Sequence, residues 1–346
     1  MVAFFLEKKY PSLRVALIDA HPSPFGATTR NAGFACYGSL SEYVDDTKRH
    51  GEDYALSLML ERREGLRILQ ECLPPEDMGW KREGGSELFL DSEKELLDEC
   101  LAIRENLNTK LSKSPNNPFK VILEPSIDLG LSKNIQAVYN QDEGSIHSGL
   151  MLRSIQRRLS QVHTYFGTQV HHLSSHANGV EIHSNHFQLN AGKVLVSTNA
   201  LAQELLPHLD VLPNRGQILV TSPIPSLNIK GNIHYQEGFY YARQLSDKRI
   251  LIGGGRNVDF EKEQTADMEV TPEIQAAIEN VLNEAIIPAN TDYRIDYRWA
   301  GVMGFGSNNE KTPLVGVDGN IHYIVRLGGM GVALAPYLAK NWVNEI

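Results

Sequence analysis

The alternation of apolar and polar positions divides this chain into elements. Val2, Ala3, Phe5 and Leu6 fall on one side of a helix whose other side carries Glu7 and Lys8, and Pro11 and Ser12 end it. Arg14 to Asp19, RVALID, follows as a short apolar run, the pattern of a strand covered on both faces in a parallel sheet. Residues 22–33, PSPFGATTRNAG, are rich in turn formers and read as a loop. From Ser41 to about Leu73 the pattern is helical, with Leu56, Leu60, Leu66 and Leu69 at helix spacing. Residues 80–91 read as a hairpin strand and 92–113 as a charged amphipathic helix. SPNNP at 114–118 reads as an insertion-like loop, and 119–140 shows no clear period.

Further along, the pattern predicts a helix over about 148–163, a strand around Thr168–Leu173, strand pairs across 178–190 and a second buried strand in KVLVSTNA, 193–200. Several strands occupy 214–256, a helix covers about 272–286, and YRIDYRWAGVMGF (293–305) alternates as a strand. A hairpin and a helix from Met330 onward complete the pattern. Parallel-type βα elements therefore stand at the start, middle and end, with antiparallel-type strands between. The expected fold class is α/β with mixed α+β character. Segments 1–79, 142–212 and 305–346 are expected to build one Rossmann-like nucleotide domain, and 80–141 with 213–304 an inserted antiparallel β-rich domain.

The chain's 346 residues leave ample core to bury. A net charge of −9 argues against nucleic acid, because a phosphate-binding surface needs a basic footprint. Cys36, Cys72 and Cys100 show no C-x-x-C spacing, and no histidines stand at zinc-ligand intervals, which points to a reducing compartment without disulfides. No signal peptide is legible, and no apolar run approaches the ~20 residues of a membrane span, so the expected location is cytoplasmic.

Three stretches carry candidate chemistry. Asp19 ends a strand, where an acid either closes the strand or accepts hydrogen bonds from ribose hydroxyls. Such an acid lies ~20 residues after a glycine fingerprint, which here would stand upstream of Met1. GATTRNAGF (26–34) places small residues beside the donors Thr28, Thr29, Arg30 and Asn31, as a phosphate-binding turn or an ordinary surface loop would. LGGMGVALAP (327–336) sets glycines directly before a helix, whose first N–H groups and positive dipole end converge there; a simple glycine turn is the alternative.

Together with DEGSIHSGLMLRSI, VLVSTNA, NRGQILVT, GFYYARQLSDKRILIGGGR and RWAGVMGF, these stretches resemble the D-amino acid oxidase (DAO) superfamily of FAD-dependent oxidoreductases in family order. The resemblance covers essentially the whole chain and is strongest to the glycine, sarcosine and γ-glutamylputrescine oxidases. It implies that Asp19 and Ala20 lie at the adenosine ribose, and that Thr28, Thr29, Arg30, Asn31, Ala32 and Gly33 line the pyrophosphate and a flavin edge. It further implies Val170 at the adenine, Thr198, Asn199 and Ala200 over the phosphates, and Gly329, Met330, Gly331 and Val332 at the flavin pyrimidine. The implied reaction passes hydride from an amine or amino acid carbon to FAD, with imine hydrolysis and reoxidation by O2.

Two departures shape the expectation. The first strand and glycine loop do not precede Asp19, so FAD binding by the chain as it stands is expected to be weak or absent until upstream codons are restored. A non-catalytic form is one alternative, and a dehydrogenase using another acceptor is another. WAGVMGF places Met303, Gly304 and Phe305 where glycine-oxidase-type members carry a carboxylate-clamping arginine, which favours an amine or N-substituted substrate. Tyr241 and Arg243, on one face of a strand, are the alternative anchors, against an ordinary strand surface. Arg298 reads as structural, and Cys36 as a small buried cysteine rather than a covalent flavin attachment.

Overall fold

A computed structural model describes residues 1–111, 117–131, 135–308 and 310–346, apart from the side chain of Ile127. The loop expected at 114–118 lies largely outside the described residues.

The β-type segments merge into one eight-stranded sheet. Its order is Ile295–Phe305, Leu212–Thr221, Ile250–Gly254, Tyr240–Gln244, Asn232–Tyr235, Gly85–Phe89, Gln136–Asn140, Phe119–Ile122. All neighbours run antiparallel except Asn232–Tyr235 against Gly85–Phe89, the parallel pair that joins the two separated stretches. The aperiodic segment 119–140 thus supplies the last two strands at one end of the sheet, with Phe119–Ile122 at its edge.

The pleat gives the sheet two unlike faces. Leu219, Ile233, Tyr235, Tyr240, Ala242, Ile250 and Ile252 point to one side and pack with Ile274 and Ile278 of the helix Pro272–Val281. Their strand neighbours point the other way. There the registers Asn232↔Arg243 and His234↔Tyr241↔Gly253 line up polar groups and a glycine. The apolar face anchors the sheet, and the other face sets these polar groups beside a smaller apolar cluster of Ile218, Val220 and Leu251.

Outside the large sheet, parallel pairing among the described residues occurs in two pieces. Ala16–Asp19 pairs with His163–Phe166, and Val194–Val196 pairs with Ile321–Val325, which forms an antiparallel hairpin with Leu314–Asp318. Several expectations need correction here. The helix expected to reach residue 163 is Ser148–Arg157, and His163–Phe166 is a strand. Ala16–Asp19 is only half-buried, because among the described residues its second edge has no paired strand. The loop at 22–33 contains one helical turn, Ala27–Arg30.

The long helix expected from Ser41 is two helices, Leu40–His50 and Glu52–Cys72, broken at Gly51 with φ +91°. Helix Glu52–Cys72 lies along the C-terminal helix Gly331–Glu345. A Cβ on Gly65 would stand 1.8 Å from the Ala333 carbonyl oxygen, so glycine alone permits this approach.

Glu42, on the first of the two helices, pairs with Arg62 at 3.1 Å and Lys311 at 3.2 Å. Burial alone would raise its carboxyl, but Arg62 and Lys311 outweigh it and hold the group down to about 2. A carboxyl depressed in the folded state stabilises above its unfolded value and loses that contribution as pH falls toward the folded value. The expected result is a melting temperature that drops between pH 4.5 and about 2, with a smaller drop in Glu42→Gln. Equal acid sensitivity in both proteins would show that this pair contributes nothing.

Candidate functional site

Asn31 fixes the turn after helix Ala27–Arg30. Its Oδ1 accepts from the Gly33 N–H at 2.9 Å and the Ser148 hydroxyl at 2.7 Å, while its Nδ2 donates to the Ala27 and Thr28 carbonyls. The turn is locked to the sheet edge. Arg30 Nε donates to the Ala300 carbonyl at 2.5 Å, and Trp299 Nε1 donates to the Arg30 carbonyl at 2.9 Å. Thr28 remains exposed beside it, while Thr29 is half-buried, its hydroxyl within reach of the Pro24 and Gly26 carbonyls.

The other stretches meet the same edge. Met303 Sδ would lie 3.8 Å from a Cβ on Gly329. Asn199, at φ +50°, accepts from the Leu327 N–H at 3.1 Å, and a Cβ on Gly304 would come within 3.2 Å of the Ala200 nitrogen. Met330 precedes helix Gly331–Glu345 with no side-chain cap, so the N–H groups of Gly331 and Val332 open that helix. Val332 itself packs toward the core.

Asp19 is joined less directly. Its carboxylate accepts from the His21 N–H, His21 stacks on Phe25 at 4.3 Å, and the Arg30 guanidinium lies 4.3 Å over the same ring. Ala20 is exposed. The Asp19 carbonyl accepts from Thr168, two residues before Val170, which begins a separate three-stranded meander. Thr198 precedes the turn that carries Asn199 and Ala200.

Arg243 has the unusual environment. It is largely buried, and among the described residues its only hydrogen bond runs from a terminal nitrogen to the Ile146 carbonyl at 3.2 Å, leaving its Nε without a partner. Burial pushes its pKa down to about 10, with Glu83 opposing from a distance. Gly33 makes room for it: at φ +75°, a Cβ there would lie 2.7 Å from the guanidinium. Tyr241 shares its face, burial pushes its phenol up, and its hydroxyl makes no hydrogen bond among the described residues. Phe34 meets the Tyr241 and His234 rings edge-on at 5.6 and 5.4 Å. Arg298 points to the opposite face, bound to Gln275 and Glu279, which agrees with its structural reading.

Sequence reasoning missed the wall behind Phe34. His234 Nε2 lies 3.0 Å from a Glu143 carboxylate oxygen, and Glu87 accepts from the Ser39 and Ser41 hydroxyls nearby. Burial alone would lower His234, yet Glu143 and Glu87 raise it. Burial and Glu143 both push the Cys36 thiol up. These residues come from distant segments, so no local spacing announces them. A crevice of about 340 Å³ elsewhere, lined by Arg14 and His163 among others, lies at the amino ends of the first parallel pair. Ligands of open α/β sheets bind at the carboxyl ends, which directs attention away from it.

The DAO family, described as FAD dependent oxidoreductase, matches residues 1–344. The chain belongs to this family of FAD-dependent oxidoreductases, and FAD is the cofactor that the family uses. Glycine oxidase from Bacillus cereus is similar in structure, with TM-score 0.77 and 18% identity over 99% of this chain and 92% of that one. L-Proline dehydrogenase from P. horikoshii gives 0.76 and 18% over 99% and 88%. L-α-Glycerophosphate oxidase from Mycoplasma pneumoniae, solved with FAD bound, gives 0.72 and 14% over 100% and 91%. No curated protein matches the chain. No described helix is long and apolar enough to cross a membrane.

Proposed function

We propose that this chain oxidises the C–N bond of a small carboxylate-bearing amine, an N-substituted amino acid in particular. The observation that carries the reading is Arg243, a buried guanidinium with an unpartnered Nε and no carboxylate beside it among the described residues. A desolvated guanidinium is costly until an anion meets it, and its fork matches a carboxylate in two-point geometry. The similarity to glycine oxidase and L-proline dehydrogenase, both named for amino acids, supports the same class.

In this reading, segments 1–79, 142–212 and 305–346 hold the flavin nucleotide and 80–141 with 213–304 cover the substrate. The residues present fit FAD on one observation in particular. In front of Gly329 the nearest side-chain atom to a Cβ is Met303 Sδ, at 3.8 Å, and this open face adjoins the uncapped helix start. Gly329 to Val332 would hold the pyrimidine edge, since N–H groups and a positive helix end suit an edge that gains negative charge. Thr28 to Gly33 and Thr198 to Ala200 would hold the pyrophosphate, with Asp19, Ala20 and Val170 toward the adenosine. When bound, FAD supplies the two-electron acceptor for hydride from the carbon beside nitrogen, with O2 as reoxidant.

The chain's own residues bind and orient. Arg243 clamps the carboxylate, the Tyr241 hydroxyl donates a further hydrogen bond, and Met303 with Phe34 supplies apolar walls. Burial of the amine favours its neutral form, so no strong base is required, and the imine product hydrolyses after release.

The test is an anaerobic screen of the FAD-loaded protein against glycine, N-methyl amino acids, proline and polyamine derivatives, read as flavin bleaching. The expected result is bleaching by N-substituted amino acids, with peroxide formed when air is admitted. Bleaching only by amines without a carboxylate would overturn the Arg243 assignment, and dye reduction without peroxide would make the chain a dehydrogenase.

A further inference from the structure

We propose that Cys36, Glu143 and His234 form a zinc-binding site in the wall behind the substrate pocket. A thiol sulfur, a carboxylate oxygen and an imidazole nitrogen from these residues all lie within 4.8 Å of one another. Glu143 is 2% exposed and His234 is largely enclosed, so the cluster is no surface accumulation of acids.

A second observation stands apart from the first. A cavity of about 10 Å³, lined by Glu87, Asn140, Glu143 and His234 among others, adjoins the same two ligands. That is space for one water-sized occupant. Nearby, Asn232, 1% exposed, donates to the Gly144 carbonyl beside Glu143, and its Oδ1 has no partner among the described residues.

The donor set selects the ion. Magnesium and calcium take oxygen ligands, whereas a thiolate with imidazole and one carboxylate suits zinc. Zinc bonds of about 2.0–2.3 Å place tetrahedral donors about 3.3–3.6 Å apart. The three groups therefore need only small side-chain shifts to close on one ion. The neighbouring one-water cavity offers the fourth position, to a water or to Glu87. On binding, Cys36 releases its thiol proton to solvent as the sulfur–zinc bond forms.

The position matters for the pocket. Phe34 stands two residues before Cys36, and its ring packs against both His234 and Tyr241. A bound ion would tie the Phe34–Cys36 segment to the sheet and hold that wall of the pocket rigid. The role is structural support, separate from the redox chemistry, so the inference survives a wrong substrate.

The experiment uses the full chain, stripped with chelator and then equilibrated with ZnCl2 by dialysis, with metal measured by plasma mass spectrometry. Cobalt(II) serves as a spectroscopic probe in flavin-free protein. The expected result is one zinc per chain, a raised melting temperature, and a thiolate-to-cobalt charge-transfer band. Cys36→Ser should abolish that band and weaken zinc at least about tenfold, with His234→Gln behaving alike. Should His234→Gln fail to fold, Cys36→Ser, which changes one atom, still decides. Substoichiometric zinc, or zinc held equally well by Cys36→Ser, would overturn the proposal.

Discussion

Arg243→Met is expected to lower kcat/KM for a carboxylate-bearing amine by about 10²–10³-fold while leaving flavin content unchanged. The wild-type guanidinium has an Nε without a partner and no acid in contact, so an incoming carboxylate meets donors that no protein group has claimed. A hydrogen bond to a charged group contributes about 1.5–3 kcal/mol, and losing a two-point pair costs about 3–4 kcal/mol. Methionine keeps the apolar stem and removes only the fork. Arg243→Lys should recover part of the loss, since a point charge remains without the paired geometry. An amine lacking a carboxylate should lose little in either variant. Steady-state kinetics on the two substrate types checks this, and an equal loss on both would mean that Arg243 supports the fold rather than the substrate.

Gly65→Ala is expected to destabilise the protein strongly, although alanine is the better helix former by about 1 kcal/mol. Propensity and packing oppose each other here, and the distances decide. The new Cβ would stand 1.8 Å from the Ala333 carbonyl oxygen and 2.9 Å from its carbon. Both are backbone atoms of the partner helix, so relief requires the helices Glu52–Cys72 and Gly331–Glu345 to separate. Overpacking of this kind costs about 3 kcal/mol or more, which outweighs the gain. A net loss of about 2 kcal/mol corresponds to a melting temperature lower by roughly 4 °C. The displaced helix is also the one whose first turn faces the candidate flavin site, so FAD affinity should fall with stability. A melting temperature at or above wild type would show that the two helices part easily.

Much of the scaffold is written in local patterns. The hairpin Leu314–Val325, the strands at 214–256 and 293–305 and the helix near 272 all follow from period and turn residues. The turn Thr28–Gly33 and the helix start at Gly331 are legible because glycines and small donors mark them. Pairings between distant segments are not. The helix expected over about 148–163 runs into the start of the strand His163–Phe166, which no local period sets apart until its partner Ala16–Asp19 is seen. The break at Gly51 hides because every leucine used for the helical spacing, from Leu56 to Leu69, lies beyond it. Arg243 is recognisable from strand alternation, but its orphaned Nε depends on Gly33 and Ile146, which only the fold brings alongside. Cys36, Glu143 and His234 stand about a hundred residues apart, and no motif links them.

The central claim is that the Thr28–Gly33 turn, the Thr198–Ala200 turn and the Gly329 helix start enclose one flavin nucleotide. It is tested most directly by titrating FAD into wild-type protein and Gly329→Val, followed by quenching of flavin fluorescence. The first neighbour of the added Cβ is Met303 Sδ at 3.8 Å, so the fold should tolerate the change. Against the expectation of weak or absent binding drawn from the sequence alone, the account predicts saturable binding of one FAD per wild-type chain, and affinity at least about tenfold weaker in Gly329→Val at an unchanged melting temperature. Equal FAD affinity in the two proteins, or none in wild type, would contradict it.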